Sequence, residues 1–94
     1  MNRTDFLTSA NEIVSKNREN DYGAVENNFK TISQMWNAYL HLDNTITPKD
    51  VAAMMALLKI ARISSGHNKS DNWIDLAGYA ACGGELETSE KEGM

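Results

Sequence analysis

Ninety-four residues make one small domain, with 41% hydrophobic residues to build a core and nine basic against thirteen acidic residues for a formal charge of −4. That balance, with no basic run, excludes the electrostatic footprint of a duplex nucleic-acid binder. The single Cys82 excludes an intrachain disulfide and a CxxC zinc site and suits a reducing, cytosolic home.

The start, MNRTDFLTSANEIV, has no apolar core of the signal-peptide kind, and the longest apolar run, VAAMMALL, is too short to span a bilayer. A cytoplasmic protein with no membrane partner is the expectation. The first predicted helix covers residues 4–16, with Thr4 as a cap and Phe6, Leu7, Ala10, Ile13 and Val14 at helical spacing. NRENDYG breaks the pattern, and Gly23 marks a turn. The second predicted helix covers residues 24–42, with an apolar stripe of Val25, Phe29, Ile32, Trp36, Tyr39 and Leu40.

The third helix has the clearest start. Thr47 is a good N-cap, Pro48 suits the first helical position, and Asp50 sits where a capping-box acid belongs. Val51, Met54, Met55, Leu57, Leu58 and Ile60 cover most of its circumference, which predicts a central helix ended by Ser64, Ser65 and Gly66. The fourth predicted helix covers residues 70–85, where Gly83 and Gly84 weaken its last turn. The expected architecture is all-α: four main helices in a bundle, one domain over residues 1–87, and a charged, frayed tail over residues 88–94. Small size, the apolar third helix and the small-residue surface of Ala77, Gly78, Ala80, Ala81 and Gly83 predict a homo-oligomer. That small-residue surface suits either an internal helix contact or a subunit interface.

The polar residues gather around the third and fourth helices. Asp71 and Asp75 are four apart and project from one helical face, with Asn72 beside them. Such a carboxylate pair can hold magnesium, which takes oxygen ligands and keeps several waters. The plain alternative for Asp71 is a charge that complements the helix dipole. For Asp75, set among Trp73, Ile74 and Leu76, the alternative is a partly buried carboxylate paired with a cation, Arg62 first or Lys59. Lys59 and Arg62 can clamp a phosphate, or simply snorkel from an apolar helix. Glu26 can add a third carboxylate from a neighbouring helix, and alone it is an ordinary first-turn acid. Tyr22, in a loop, has the best claim among the aromatics to stack on a base, whereas Trp36 and Trp73 read as core. His41 and His67 share no ligand spacing with Cys82, and SSGHNKS is too poor in glycine for a P-loop. No catalytic residue is assigned.

The series RENDYG, ENNF, WNAYL, ITPKDVAAMM, LLKIAR and DNWIDLAGYAA resembles a small domain family of phages and prophages, of uncharacterised function, over residues 18–85. More distantly, the chain resembles the MazG-like all-α nucleotide pyrophosphohydrolases. Those enzymes hold magnesium with an E-x-x-E and an E-x-x-D pair on successive helices and release pyrophosphate from nucleoside triphosphates. Asn72-x-x-Asp75 falls where E-x-x-D would, with Asp71 adjacent, and Glu26 stands for the first acid of E-x-x-E, whose second is replaced by Phe29. This resemblance implies Mg2+ on Glu26, Asp71 and Asp75, and nucleotide phosphate on Lys59 and Arg62, with Asn72 and Tyr22 contributing. Three functions stay open: a magnesium-dependent pyrophosphohydrolase in the host cytoplasm, a non-catalytic sponge for a nucleotide-derived immune signal, and a structural or protein-interaction module in which Asp75 and Arg62 pair internally.

Overall fold

The computed structural model describes the backbone of residues 1–17 and 25–92 and the side chains of residues 1–15 and 27–88. Four α-helices and no strand occur among the described residues: α1 (Arg3–Glu12), α2 (Val25–Tyr39), α3 (Pro48–Ser64) and α4 (Ser70–Glu92). A π-helical turn, Ile13–Asn17, continues α1. The all-α expectation therefore holds, with four main helices.

Each helix starts or stops for a local reason. α1 begins one residue earlier than the sequence suggested, because Asn2 rather than Thr4 caps it. The Asn2 side chain accepts from the Asp5 N–H at 2.9 Å, and Asp5 accepts from the Asn2 N–H at 2.9 Å. At α3 the backbone N–H and the hydroxyl of Thr47 both donate to one Asp50 carboxylate oxygen at 2.9 Å, with Pro48 at the first turn as expected. These bonds, the backbone one foremost, hold the Asp50 carboxyl below its ordinary pKa of 3.8.

Two helices end in the same device, a left-handed residue that lets two amides fold back onto carbonyls. In α3 it is Gly66 (φ 86°), with Gly66 N–H donating to Ile63 O and His67 N–H to Arg62 O. In α2 it is His41 (φ 58°), with His41 N–H donating to Ala38 O and Leu42 N–H to Asn37 O. A histidine lacks glycine's freedom at such a position, so the sequence did not announce this stop, and α2 ends at Tyr39 rather than at residue 42.

Two buried asparagines then fix the loops. The Asn37 amide pairs with both backbone groups of Ile46 at 2.9 Å, clamping the α2–α3 connection. Asn72 donates to His67 O at 2.8 Å within the α3–α4 connection. A buried amide that leaves no polar atom unmatched is tolerated and specifies the loop path.

The core is small. Phe29, Val51, Ala52, Cys82 and Leu86 are buried together, with Val14, Ile32, Trp36, Ile46, Met55 and Tyr79 packed against them. Leu86 shows why α4 outruns the end expected near residue 85: it supplies a buried apolar side chain one turn past the Gly83–Gly84 pair. Gly83 itself is an internal contact, since a Cβ there would lie 3.3 Å from the Ala52 Cβ. Gly78 abuts Val14, where a Cβ would lie 3.4 Å from Cγ1. Trp73, read as core, is instead 54% exposed. It precedes the buried Ile74 and so points away from the side of α4 that packs inward. α3 is central as expected, but one of its faces is bare: Leu57, Leu58 and Ile60 are exposed.

Gly84 has open space where its Cβ would go, unlike Gly83. Gly84→Ala is therefore expected to stabilise the protein by about 0.5–1 kcal/mol through helix propensity, and Gly83→Leu to destabilise it by about 1–3 kcal/mol through overpacking against Ala52. Urea denaturation of both variants checks the pair.

Asp50→Ala is expected to cost about 1 kcal/mol by loss of the capping contacts. Because folding lowers the Asp50 pKa, its stabilisation is complete above the ordinary value of 3.8 and is lost as pH falls through the lower, folded value. The difference in unfolding free energy between wild type and Asp50→Ala should therefore shrink only below that range, as urea titrations at stepped pH would show.

Candidate functional site

The α3–α4 hairpin positions the polar residues singled out in the sequence. Its connection, residues 65–69, is short, and the helices run antiparallel about it. Moving toward the loop on one helix is therefore moving toward it on the other. Lys59 and Asp75 each stand eight residues from His67, and Arg62 and Asn72 each stand five from it. The side chains pair accordingly. Lys59 Nζ lies 2.9 Å from Asp75 Oδ2. Arg62 Nε donates to Asn72 Oδ1 at 3.3 Å. Farther from the loop, Ala52 meets Gly83, and Lys49 Nζ lies 3.4 Å from Glu87 Oε1.

This ladder corrects one expectation. Of the two cations expected for Asp75, Arg62 first or Lys59, the register gives Asp75 to Lys59 and leaves Arg62 facing Asn72. Equal distance from the loop was the signal in the sequence that could have found both pairs.

The two ion pairs differ in surroundings. The side chains of Lys59 and Asp75 are 17% and 32% exposed, whereas those of Lys49 and Glu87 are 44% and 50% exposed. Lys59–Asp75 is thus partly withdrawn from water, where charge interactions are screened less and desolvation begins to matter. Asn72 is buried, and its amide is engaged on both sides, by Arg62 and by His67 O. Its role in the structure is to lock the loop. Asp71, one turn before Asp75, is exposed in the first turn of α4.

Asp75 also borders a crevice where the π-helical turn meets α4. Ile13, Val14, Ile74, Gly78, Tyr79 and Cys82 form the rest of its lining, and its volume is about 10 Å³. That is barely room for one water, so a ligand at Asp75 would sit above the crevice. Tyr79, four residues after Asp75, brings its ring to 6.4 Å from that of Phe29, centroid to centroid. Glu26 lies three residues before Phe29 on α2, with its side chain outside the described residues, as Tyr22 is altogether. Among the described residues no group of three or more His, Cys, Asp or Glu side chains is arranged to hold a metal ion. The structure thus brings together Lys59, Arg62, Asn72 and Asp75, with Asp71 at the edge. Asn37 and Asn72 were the buried polar residues whose loop-holding role the sequence did not reveal.

The coupling of the half-buried pair is measurable. In a double-mutant cycle of Lys59→Gln and Asp75→Asn, each single variant is expected to lose about 1–2 kcal/mol, between the values of exposed and buried pairs. The double variant should lose clearly less than both together. Additive losses would show that the pair contributes nothing as a pair.

The chain is similar to two proteins of mycobacteriophages, each called Gene 55 protein. That of Mycobacterium phage L5 is 41% identical over 87 residues, covering 93% of this chain and 55% of the relative. That of Mycobacterium phage D29 is 36% identical over 77 residues, covering 82% of this chain and 50% of the relative. The chain therefore spans about half the length of the curated relatives it matches. No solved structure matches it with significance. Among the described residues no helix is long and apolar enough to cross a membrane. A family model described as a domain of unknown function, DUF6378, matches residues 5–87, and the chain belongs to that family of small phage domains.

Proposed function

We propose that this protein binds a nucleotide, or a nucleotide-derived molecule, through its phosphates at the loop end of the α3–α4 hairpin, as a self-associating protein of the phage-infected host cytoplasm. The observation that carries the reading is the half-buried Lys59–Asp75 pair with Arg62 and Asn72 one turn away. An ammonium and a carboxylate are one each of the groups that a magnesium–phosphate ligand requires. Without ligand they neutralise each other. With ligand, Lys59 would turn to a phosphate as a point charge, Arg62 would offer its fork, and Asp75 would be free to hold a cation.

On this reading Asp71 and Asp75 would hold magnesium only together with the phosphates of a ligand, since no three-carboxylate group stands ready among the described residues. Asp71 and Asp75 lie on one helical face, and an ion held by one or two carboxylates keeps waters and takes the remaining oxygens from phosphates. Glu26, on α2 with its side chain outside the described residues, is the third carboxylate of the reading. Magnesium there supplies a polarised phosphoryl oxygen and an activated water. With these, the reaction of the MazG-like pyrophosphohydrolases is the favoured activity. A second reading, sequestration of a nucleotide-derived immune signal without cleavage, is favoured by the same pair from the other side. Lys59 competes with a metal for Asp75, which weakens metal binding and turnover while leaving phosphate contacts to Lys59 and Arg62.

The test is a thermal-shift series with nucleoside triphosphates and cyclic or oligomeric nucleotide signals, each with and without magnesium, beside an assay for released pyrophosphate. A ligand at a hundred times its Kd stabilises by about 2.7 kcal/mol, which moves the melting temperature by several degrees. A magnesium-dependent shift with pyrophosphate release supports the enzyme, and a magnesium-independent shift without product supports the sponge. Lys59→Ala should abolish the nucleotide shift. A melting temperature that no nucleotide moves, or a shift indifferent to both Lys59→Ala and Asp75→Asn, would sink the proposal and leave the pair a structural one.

A further inference from the structure

The charges of α3 are taken up by neighbours, although Lys49, paired with Glu87, and Arg62 remain exposed. Lys59 turns to Asp75 and Arg62 to Asn72 across the hairpin, and Asp50 is taken up by Thr47. Between them much of the water-facing side is apolar. Met54, Leu57 and Leu58 follow one another at helical spacing, and Met54 joins Met35 and Tyr39 of α2 and Leu40 just beyond it in one shallow apolar depression. These six side chains are 41% to 83% exposed. None of the six is charged, and the stripe is bounded one turn away by the half-buried Asp50 before Met54 and the exposed Arg62 after Leu58. A contiguous apolar stripe on the side of a helix that faces water is the pattern of a helix that packs against something.

We propose that this α2–α3 face is the surface through which two copies of the chain associate, α3 packing against its symmetry mate about a two-fold axis near Leu57. The proposal deepens the self-association included in the reading above and is independent of nucleotide binding. Two observations select a second copy. The first is area: at their exposures the six side chains present on the order of 600–700 Å² of accessible surface, close to the ~800 Å² that each partner of a stable complex buries. Isolated surface apolar residues need no partner, but a contiguous patch of this size does. The second is charge. In a two-fold dimer a surface meets itself, so any charge near the axis would meet its own like. This protein carries a net −4, yet the six side chains at the centre of the face carry none of that charge and the charged residues stand at its rim, as the anatomy of an interface requires.

A second apolar patch, with a lining of its own, supplies a control. Leu7 and Trp73 are also exposed, but they form a separate patch with Arg3 and Phe6 at the α1–α4 side.

Sedimentation or light scattering across a concentration series would test the proposal, with far-UV circular dichroism to verify folding. Wild type should run at twice its 10.4 kDa mass. Leu57→Glu and Met35→Glu should run as monomers with unchanged helicity, because both side chains already face water. Leu7→Glu should leave the dimer intact. If Leu57→Glu does not fold, Tyr39→Glu, at the most exposed of the six positions, serves in its place. A monomeric wild type overturns both this assignment and the self-association reading. A dimer that survives every glutamate on the α2–α3 face, or that Leu7→Glu dissolves, overturns this assignment alone and moves the interface elsewhere.

Discussion

The rest of this small structure depends on the antiparallel contact between α3 and α4. Ala52 and Gly83 let the two backbones approach until a single added Cβ would crowd the neighbour. That approach sets the register, and the register decides which polar side chains meet. It also buries Val51, Ala52, Cys82 and Leu86 in one cluster, against which Phe29 of α2 closes. The π-helical turn after α1 docks by the same means, with Val14 against Gly78. Small residues on α4 are therefore the seats into which the other elements fit. Where they are absent from a contact, as at Gly84, the glycine has open space around it.

A core this size leaves charge and apolar surface in an unusual distribution. The hairpin pairs the half-buried Lys59 with Asp75 and the exposed Arg62 with the buried Asn72 at the loop end, and the apolar residues that do not fit the core remain outside on α2 and α3. Both features follow from one cause. α3 is nearly apolar all round, so whichever stripe packs on α4 leaves another stripe bare. The stripe that packs is the one carrying small residues and cations, because only it can approach Gly83 closely and satisfy Asp75.

The polar end is held more firmly than the sequence suggests. Gly66 in the left-handed region returns the His67 amide to Arg62 O, Asn72 holds His67 O, and the Arg62 side chain reaches Asn72. Arg62 thus touches the loop through its backbone and, by way of Asn72 in the first turn of α4, braces it through its side chain. A site built on such a closed hairpin is placed by rigid elements, which suits recognition of a phosphate geometry. The charged residues stand where a ligand could displace one attraction by another at little rearrangement of the backbone.

The sequence by itself determined the helices and where two of them turn. Thr47, Pro48 and Asp50 announce the start of α3, and Gly66 announces its end, because caps and left-handed turns are local chemistry within a few residues. The same locality concealed what a less typical residue did: Asn2 displaced Thr4 as a cap, and His41 ended α2 in a conformation that glycine usually marks. The candidate site was legible as a set of residues on two adjoining helices, but not as a set of pairs. Only the tertiary structure decided that Lys59 rather than Arg62 meets Asp75, that Asn72 is buried, that Trp73 faces water, and that α3 shows an apolar face outward. Those outcomes depend on the rotation of one helix against another. That rotation is set by the loop conformation and by close contacts such as Ala52 with Gly83, between residues far apart in the chain, and no pattern within a single helix encodes it.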